Sequence, residues 1–235
     1  MRIVVDINHP AQVHFFKNFI REMKKKGHCF LIAASEKEVL THLLKAYQFP
    51  FIDLGSYGDT MFQKIRRVPV KDYSLLKAVK PFKPDFFVSL GSIRAAHVAW
   101  LMRKPCITFD DDEYSYPYYH WFVKSICVFS GFKISGKKIL KIPGYKELAY
   151  LHPNRFTPET VQADKPTVLL RFVSWSAFHD GGKHGLSLNH KRLMVKELSK
   201  YARVYISSEG SLPADLEPYR LTIPPEEMHS FLARA

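Results

Sequence analysis

The sequence predicts an α/β protein with parallel sheets, organised as one doubly wound domain followed by a second, incomplete one. The first observation is the opening unit at 2–34, where a strand, a turn, a helix and a second strand follow one another. The second is that apolar strand-like runs and helical periods keep alternating to about residue 153. The third is a polar stretch with three prolines at 152–166, after which the alternation restarts.

The opening unit predicts where a ligand would bind. Residues 3–7 are an apolar, β-branched run that suits a strand buried on both faces. Asn8, His9 and Pro10 break this run, and apolar residues then recur at helical spacing up to Gly27. Residues 28–34 are a second apolar strand. Because ligands gather at the carboxyl ends of parallel strands, the loop from Asn8 to His14 is expected at a functional edge.

The following elements continue the pattern through the first domain, 1–155. Strands are predicted at 50–54, 85–90 and 105–109, and helices at 35–47 and after Gly91-Ser92. Residues 60–82 are predicted to form helices broken at Pro69, because proline disrupts a helix interior. An aromatic run at 114–122 and a short helix ended by Pro153 complete this domain.

The second domain, 166–235, holds about half the elements that a complete doubly wound domain needs. Strands at 167–172 and 203–207 flank a helix at 189–201. A short run at 221–223 is a candidate strand, and a helix is predicted at 226–235. The alternation stops there in mid-pattern.

The net charge of +13 calls for a negatively charged partner. No helix-turn-helix, RNP motif or zinc finger accompanies the charge, so specific nucleic-acid binding is not predicted. The basic and apolar stretch at 62–83 favours docking on an anionic membrane, with an ordinary solvated helix face as the alternative.

Three scattered cysteines, no apparent signal peptide and no bilayer-spanning run predict a cytoplasmic protein. Peripheral attachment at the inner face of the membrane is left open.

Five segments carry a family resemblance: IVVDINHPAQVHFFK, FVSLGS, PCITFDDDE, GYKELAYLHPNRF and RFVSWSAFHDGGKHGLS. They resemble an uncharacterised prokaryotic domain family related to the GT-B glycosyltransferases and to UDP-N-acetylglucosamine 2-epimerase. The resemblance implies a GT-B-like fold of two Rossmann-like domains, with acceptor chemistry on the first and nucleotide-sugar binding on the second. It also implies a longer protein with a donor-holding loop after Ala235, so this short chain is expected to be inactive or impaired.

The activity implied by the resemblance is metal-independent transfer of a sugar from a nucleotide-diphosphate donor, without a cofactor, to an acceptor that could be lipid-linked. A non-catalytic binding protein on the same fold and a sugar-nucleotide epimerase are the alternatives. The epimerase family carries an acidic residue after the glycine of the strand where this chain has Gly91-Ser92. That difference weighs against epimerisation.

The predicted donor site is RFVSWSAFHDGGKHGLS. Arg171 can give a diphosphate bidentate, charge-assisted hydrogen bonds, and the glycines allow backbone amides to approach it. Further donor-binding side chains are expected to supply hydroxyls, an aromatic plate and a cation: Ser174, Trp175, Ser176 and Lys183. The pattern is neither a Walker A motif nor GxGxxG, and an ordinary surface loop is the alternative.

The predicted catalytic residues of the first domain are His14 and Glu113. His14 would act as the base, although it could simply be a half-buried histidine of the core, and His9 could serve instead. Glu113 would orient a sugar hydroxyl, although an acidic run can also cap a helix. The acceptor-side loops are expected to contribute Asn8, His9, Gly91, Ser92 and Asp112. No metal is expected at 110–113, because neighbouring side chains on an extended chain point in opposite directions.

Overall fold

A seven-stranded parallel sheet organises Met1–Phe156, the first of two units into which the chain divides; the second is Thr157–Ala235. The computed structural model describes residues 1–35, 38–55, 61–158, 165–173 and 185–235. Four predicted donor residues, Ser174, Trp175, Ser176 and Lys183, lie outside these ranges. The strands of the first unit are β1 (Arg2–Ile7), β2 (Cys29–Ala34), β3 (Phe51–Asp53), β4 (Phe86–Leu90), β5 (Cys106–Asp110), β6 (Ser125–Val128) and β7 (Ile139–Lys141).

The strand order β3-β2-β1-β4-β5-β6-β7 puts a topological switch point between β1 and β4. These two strands pair in parallel from Ile3 opposite Phe86 to Asp6 opposite Ser89. From this point the chain builds the sheet outward in both directions. In such sheets the ligand crevice opens at the carboxyl ends of the strands beside the switch point.

Helices cover both faces of this sheet. They are α1 (Pro10–Lys25), α2 (Glu38–Ala46), α3 (Met61–Val79), α4 (Ile93–Leu101), α5 (Tyr116–Tyr119) and α6 (Leu148–Leu151). Alternate residues of β1 point to opposite faces, as the period of a strand requires. Val5 belongs to the core beneath α1, α2 and α6, whereas Val4 belongs to the core beneath α3, α4 and α5. Among the described residues, no helix combines the length and apolarity needed to cross a bilayer.

The five strands predicted up to residue 109 are confirmed within about two residues at each end. The predicted break at Pro69 is wrong, because α3 runs through it as one helix. Proline removes one helical hydrogen bond, but Leu75 and Val79 bury the next turns completely against the sheet. Lys71 also anchors α3 by donating from Nζ to the carbonyl of Leu54.

Strands β6 and β7 were not predicted. They are only four and three residues long, too short to show a period of their own.

The second unit contains β8 (Thr167–Phe172), α7 (Leu188–Leu198), β9 (Arg203–Ser208) and α8 (Met228–Leu232). β8 and β9 pair in parallel, and Leu170 and Ile206 are buried in their core. The candidate strand at 221–223 does not form; one bridge joins Ile206 to Arg220 instead. The predicted helix at 226–235 is shorter, because a 3-10 turn at Pro225–Glu227 precedes it.

Candidate functional site

A buried ion pair between Asp6 of β1 and Arg94 of α4 occupies the switch point. Both side chains are at most 1% exposed. Arg94 donates from Nη2 to Asp6 Oδ1, and its Nε lies 3.2 Å from Asp6 Oδ2. A charged group in the interior is tolerated only with such a partner. The pair therefore fastens the start of α4 to the carboxyl end of the central strand.

The ion pair also positions Asn8 and Ser92, two of the predicted acceptor-side residues. Asn8 Oδ1 accepts hydrogen bonds from Arg94 Nη2 at 2.9 Å and from Ser35 Oγ at 2.7 Å. Ser92 Oγ donates to Asp6 and caps α4 by accepting a backbone N–H of its first turn. Ser92 is buried and Asn8 half-buried, so Asn8 is the more accessible of the two.

The first turn of α1 holds His9 beside Asn8. His9 is exposed and caps α1, its Nδ1 accepting from Ala11 N at 3.2 Å. Gln12 bridges the two strand ends, accepting from Asn8 N at 2.7 Å and donating to Leu90 O at 3.0 Å. The loop after β1 is therefore held to the end of β4.

Gly91 makes the turn that follows β4. Its φ is +60°, a left-handed conformation that favours glycine. Its backbone N donates to Phe109 O at 2.9 Å, which joins this turn to β5. A side chain at this position would face the carboxylate of Asp110 at about 3.6 Å.

The acidic run after β5 bends at Asp110. One carboxylate oxygen of Asp110 accepts from the backbone N–H of Asp111 at 2.9 Å and of Asp112 at 3.3 Å, and Tyr119 donates its hydroxyl to the other. The expectation that these carboxylates diverge is wrong, because this bend brings all three within 4.8 Å. Asp111 forms an ion pair with Lys146. These contacts give Asp110 and Asp111 roles in the fold, and no metal is assigned to the run.

Glu113 and Asp112 each bind backbone in this loop. Glu113 accepts a hydrogen bond from the backbone N of Lys133, so it ties the acidic loop to the segment before β7. Asp112, which is exposed, accepts from Tyr114 N at 2.9 Å. The structure therefore gives both predicted residues a structural contact beside the strand ends.

His14 lies in the core between two tyrosines. Its Nδ1 is 3.1 Å from the hydroxyl of Tyr47, and its ring centroid is 5.6 Å from that of Tyr150. Only 7% of the residue is exposed. These contacts join α1 to the end of α2 and to α6, and the contacts described for His14 do not include the Asp6–Arg94 network.

Arg171 lies on β8 in the second unit, one residue before the strand ends. Its side chain is 68% exposed and forms an ion pair with Glu209, just after β9, with 2.9 Å between Nη2 and Oε1. The carboxyl end of the parallel pair therefore presents an accessible guanidinium.

An apolar cavity of about 630 Å³ lies in the first unit between α1, the sheet and α6. Most of its lining is aromatic or aliphatic, for example Phe19 and Phe129. Two contacts occupy part of its polar rim: Asn18 donates to Ala149 O, and Arg155 lies 3.7 Å from Glu22. Because the lining is mostly apolar, no sugar or nucleotide is assigned to this cavity.

Sequence reasoning missed the residues that hold the edge together: Asp6, Gln12, Arg94 and Tyr119. One signal was present, since an aspartate inside the apolar run IVVDI requires a buried partner. Nothing local identifies that partner, which is 88 residues away.

A family model matches residues 1–119, half of the chain. The chain belongs to the DUF354 family, described as proteins of unknown function. An uncharacterised protein of Methanocaldococcus jannaschii is 23% identical over 111 residues, which are 47% of this chain and 33% of that protein. The matched stretch thus spans only a third of that relative.

Solved structures with a similar fold include a UDP-GlcNAc 2-epimerase and two glycosyltransferases. The UDP-GlcNAc 2-epimerase of Neisseria meningitidis, solved with UDP-GlcNAc bound, matches 99% of this chain and 75% of its own, at TM-score 0.64 and 15% identity. The calicheamicin glycosyltransferase matches 100% and 73%, at TM-score 0.60 and 14% identity. A glycosyltransferase of Streptomyces sp. SF2575, complexed with thymidine diphosphate, matches 89% of this chain and 68% of its own, at TM-score 0.56 and 15% identity. The predicted GT-B-like fold is confirmed, and it is similar to the folds of both enzyme groups.

The buried pair predicts a large loss of stability in Arg94→Met. This change keeps most of the side-chain volume but leaves Asp6 charged and buried without its main partner, so we expect a loss of about 3–5 kcal/mol. The matched control is Lys77→Met on the exposed side of α3, expected to change stability by less than about 0.5 kcal/mol. Chemical denaturation followed by circular dichroism measures both. Equal stabilities for the two variants would contradict the proposed importance of the pair.

Asp110 predicts a pH-dependent stability. Burial raises the pKa of Asp110 to about 6, although hydrogen bonds from Tyr119 and the backbone lower it in part. The folded state therefore holds the proton of Asp110 more tightly than the unfolded state does. The contribution of Asp110 to the free energy of unfolding is then largest below about pH 4 and declines as the pH rises to about 6. The decline should amount to roughly 2–3 kcal/mol, at about 1.4 kcal/mol for each pKa unit.

Asp110→Asn should remove this decline when unfolding free energies are compared between pH 4 and pH 7. Tyr119→Phe is the matched variant, since it removes a hydrogen bond that lowers the pKa and should extend the decline to higher pH. Identical pH profiles for all three proteins would rule out Asp110 as the titrating group.

Proposed function

We propose that this chain binds a nucleotide-diphosphate sugar and serves its transfer to an acceptor. The observation that carries the proposal is the likeness, over 89% and 99% of the chain, to two enzymes solved with thymidine diphosphate and with UDP-GlcNAc. The likeness is one of fold, so the proposed roles depend on side chains at the carboxyl ends of the strands.

The second unit would bind the donor through Arg171. Transfer breaks the bond between the anomeric carbon and the diphosphate, so negative charge grows on the departing oxygen. A guanidinium meets that charge with two parallel hydrogen bonds, and stabilising developing charge is a major source of catalysis. Glu209 would hold the guanidinium in place until the diphosphate arrives. Ser174, Trp175, Ser176 and Lys183 keep their predicted roles in donor binding.

The first unit would bind the acceptor at the loops after β1, β4 and β5. Asn8, His9 and Asp112 offer accessible hydrogen-bonding side chains there. Ser92 would act indirectly by fixing Asp6 and α4. Glu113 would orient a hydroxyl.

His14 remains the proposed base. Its Nδ1 lies against the hydroxyl of Tyr47, so it would take the acceptor proton through Nε2.

The acceptor we propose is lipid-linked and presented at an anionic membrane surface. The formal charge of +13 and the basic stretch at 62–83 support this choice.

Calorimetric titration with UDP and UDP-sugars tests the donor role. Arg171→Ala should abolish the binding heat, and Arg171→Lys should restore only part of it because lysine cannot bind in the bidentate mode. Arg203→Ala, an exposed arginine at the opposite end of β9, is the matched control and should bind normally. His14→Gln should bind the donor as the parent chain does and should lower any turnover that the parent chain retains. Unchanged heat in Arg171→Ala would remove Arg171 from the donor site.

A sugar-nucleotide epimerase is the second candidate, supported by the TM-score of 0.64 to the Neisseria epimerase against 0.60 to the calicheamicin glycosyltransferase. The two reactions differ at one carbon. Epimerisation at C2 breaks the C2–H bond, so deuterium from D₂O should enter UDP-GlcNAc at C2, whereas sugar transfer leaves that bond intact. We expect no deuterium by proton NMR. Its incorporation would favour the epimerase, and binding without either reaction would favour a non-catalytic protein.

A further inference from the structure

We infer that helices α3, α4 and α5 form a surface that docks on an anionic lipid bilayer and inserts aromatic side chains into it. The inference deepens the proposed function, since a lipid-linked acceptor would bring the protein to a membrane. It rests on three observations: a mixed stripe on α3, exposed aromatic residues on the neighbouring helices, and the distribution of charge.

The outward side of α3 carries one stripe of cationic and apolar side chains. Arg66, Val70, Tyr73, Lys77 and Lys80 follow one another at spacings of four and three residues, which places them on one face of a helix. All five are exposed. Val70 and Tyr73 thus protrude between two pairs of cations. Arg66 and Arg67 form the first pair, and Lys77 and Lys80 form the second.

The helices packed beside α3 extend this surface with large exposed side chains. Trp100 of α4 is 58% exposed, Tyr118 of α5 is 63% exposed, and Trp121, just after α5, is 74% exposed. His97 joins the three helices, because its Nδ1 is 2.8 Å from Asp72 Oδ2 on α3 and its Nε2 is 3.3 Å from Tyr118 O. The exposed residues therefore lie on adjoining helices on one side of the sheet.

The charged side chains on these segments are almost all cationic. The stretches 61–83, 93–104 and 114–124 contain a single carboxylate, that of Asp72, and His97 already binds it. Arg103, Lys104 and Lys124 add exposed cations at the ends of the helices. The surface would therefore be drawn to an anionic layer.

The apolar residues decide between a membrane and a nucleic acid. Phosphates could neutralise the lysines, but they would leave Val70 and Leu101 in water. A bilayer interface accepts both kinds of side chain, because cations meet the headgroups while tryptophan and tyrosine settle at the acyl boundary. Exposed apolar clusters of this kind mark interaction sites on otherwise polar proteins.

Co-sedimentation with vesicles tests the electrostatic part. The full chain should bind vesicles of phosphatidylserine mixed into phosphatidylcholine, fail to bind pure phosphatidylcholine, and detach as salt is raised. Each lysine removed should weaken binding about fivefold, so Lys77→Gln with Lys80→Gln should cost about 25-fold. The matched control is Lys25→Gln with Lys26→Gln at the end of α1, also exposed, which should bind as the parent chain does.

Tryptophan quenching by brominated lipid tests insertion. Quenching should fall in Trp121→Ser and stay unchanged in Tyr201→Ser, which removes an aromatic that is 76% exposed in the second unit. Any of three outcomes would overturn the inference. They are an equal loss of vesicle binding in the two double lysine variants, no tryptophan quenching on binding, and binding to duplex DNA without binding to vesicles. None of these measurements involves a nucleotide-sugar, so a failed donor titration and a failed docking surface remain distinguishable.

Discussion

The edge of the first unit depends on the buried ion pair between Asp6 and Arg94. Moving two such charges out of water costs several kcal/mol each, and an apolar pair of equal volume is often as stable. An apolar pair would not supply directional hydrogen bonds to neighbouring side chains. The carboxylate of Asp6 receives Ser92 as well as Arg94, and Arg94 reaches on to Asn8. The Asp6–Arg94 pair thereby fixes the conformation of the loops that follow β1 and β4 at the switch point.

The two faces of the sheet have different properties although they share the same strands. Beneath α1, α2 and α6 the core is rich in phenylalanine, and it holds His14 between tyrosines from two helices. Beneath α3, α4 and α5 small residues such as Ala96 and Ala99 let α4 approach the sheet closely. Trp100 and Leu101 of α4 lie outside that core, whereas Phe87 and Tyr119 are buried in it. The outer side of α4 therefore adds large apolar side chains to the surface of this face.

Local patterns were enough to predict the strands up to residue 109. Alternation of apolar runs and helical periods is a property of neighbouring residues, so it is visible in the sequence. The features that were missed are long-range: the partner of Asp6 lies on α4, and the tyrosines around His14 come from α2 and α6. The bend at Asp110 depends on Tyr119, which reaches back from α5. Pro69 was misjudged for the same reason, since burial of the later turns outweighs one lost hydrogen bond.

The charges at the strand ends of each unit bear on which unit would bind the donor and which the acceptor. In the first unit the strand ends carry Asp110 and Asp112, and Lys146 offsets only Asp111. A diphosphate brought there would meet like charge, whereas the hydroxyls of an acceptor sugar would find hydrogen-bond acceptors. At the strand ends of the second unit Arg171 is exposed beside Glu209, and a diphosphate carries more charge with which to compete for the guanidinium than one carboxylate does. The charges of the two units thus agree with the proposed donor binding by the second unit and acceptor binding by the first.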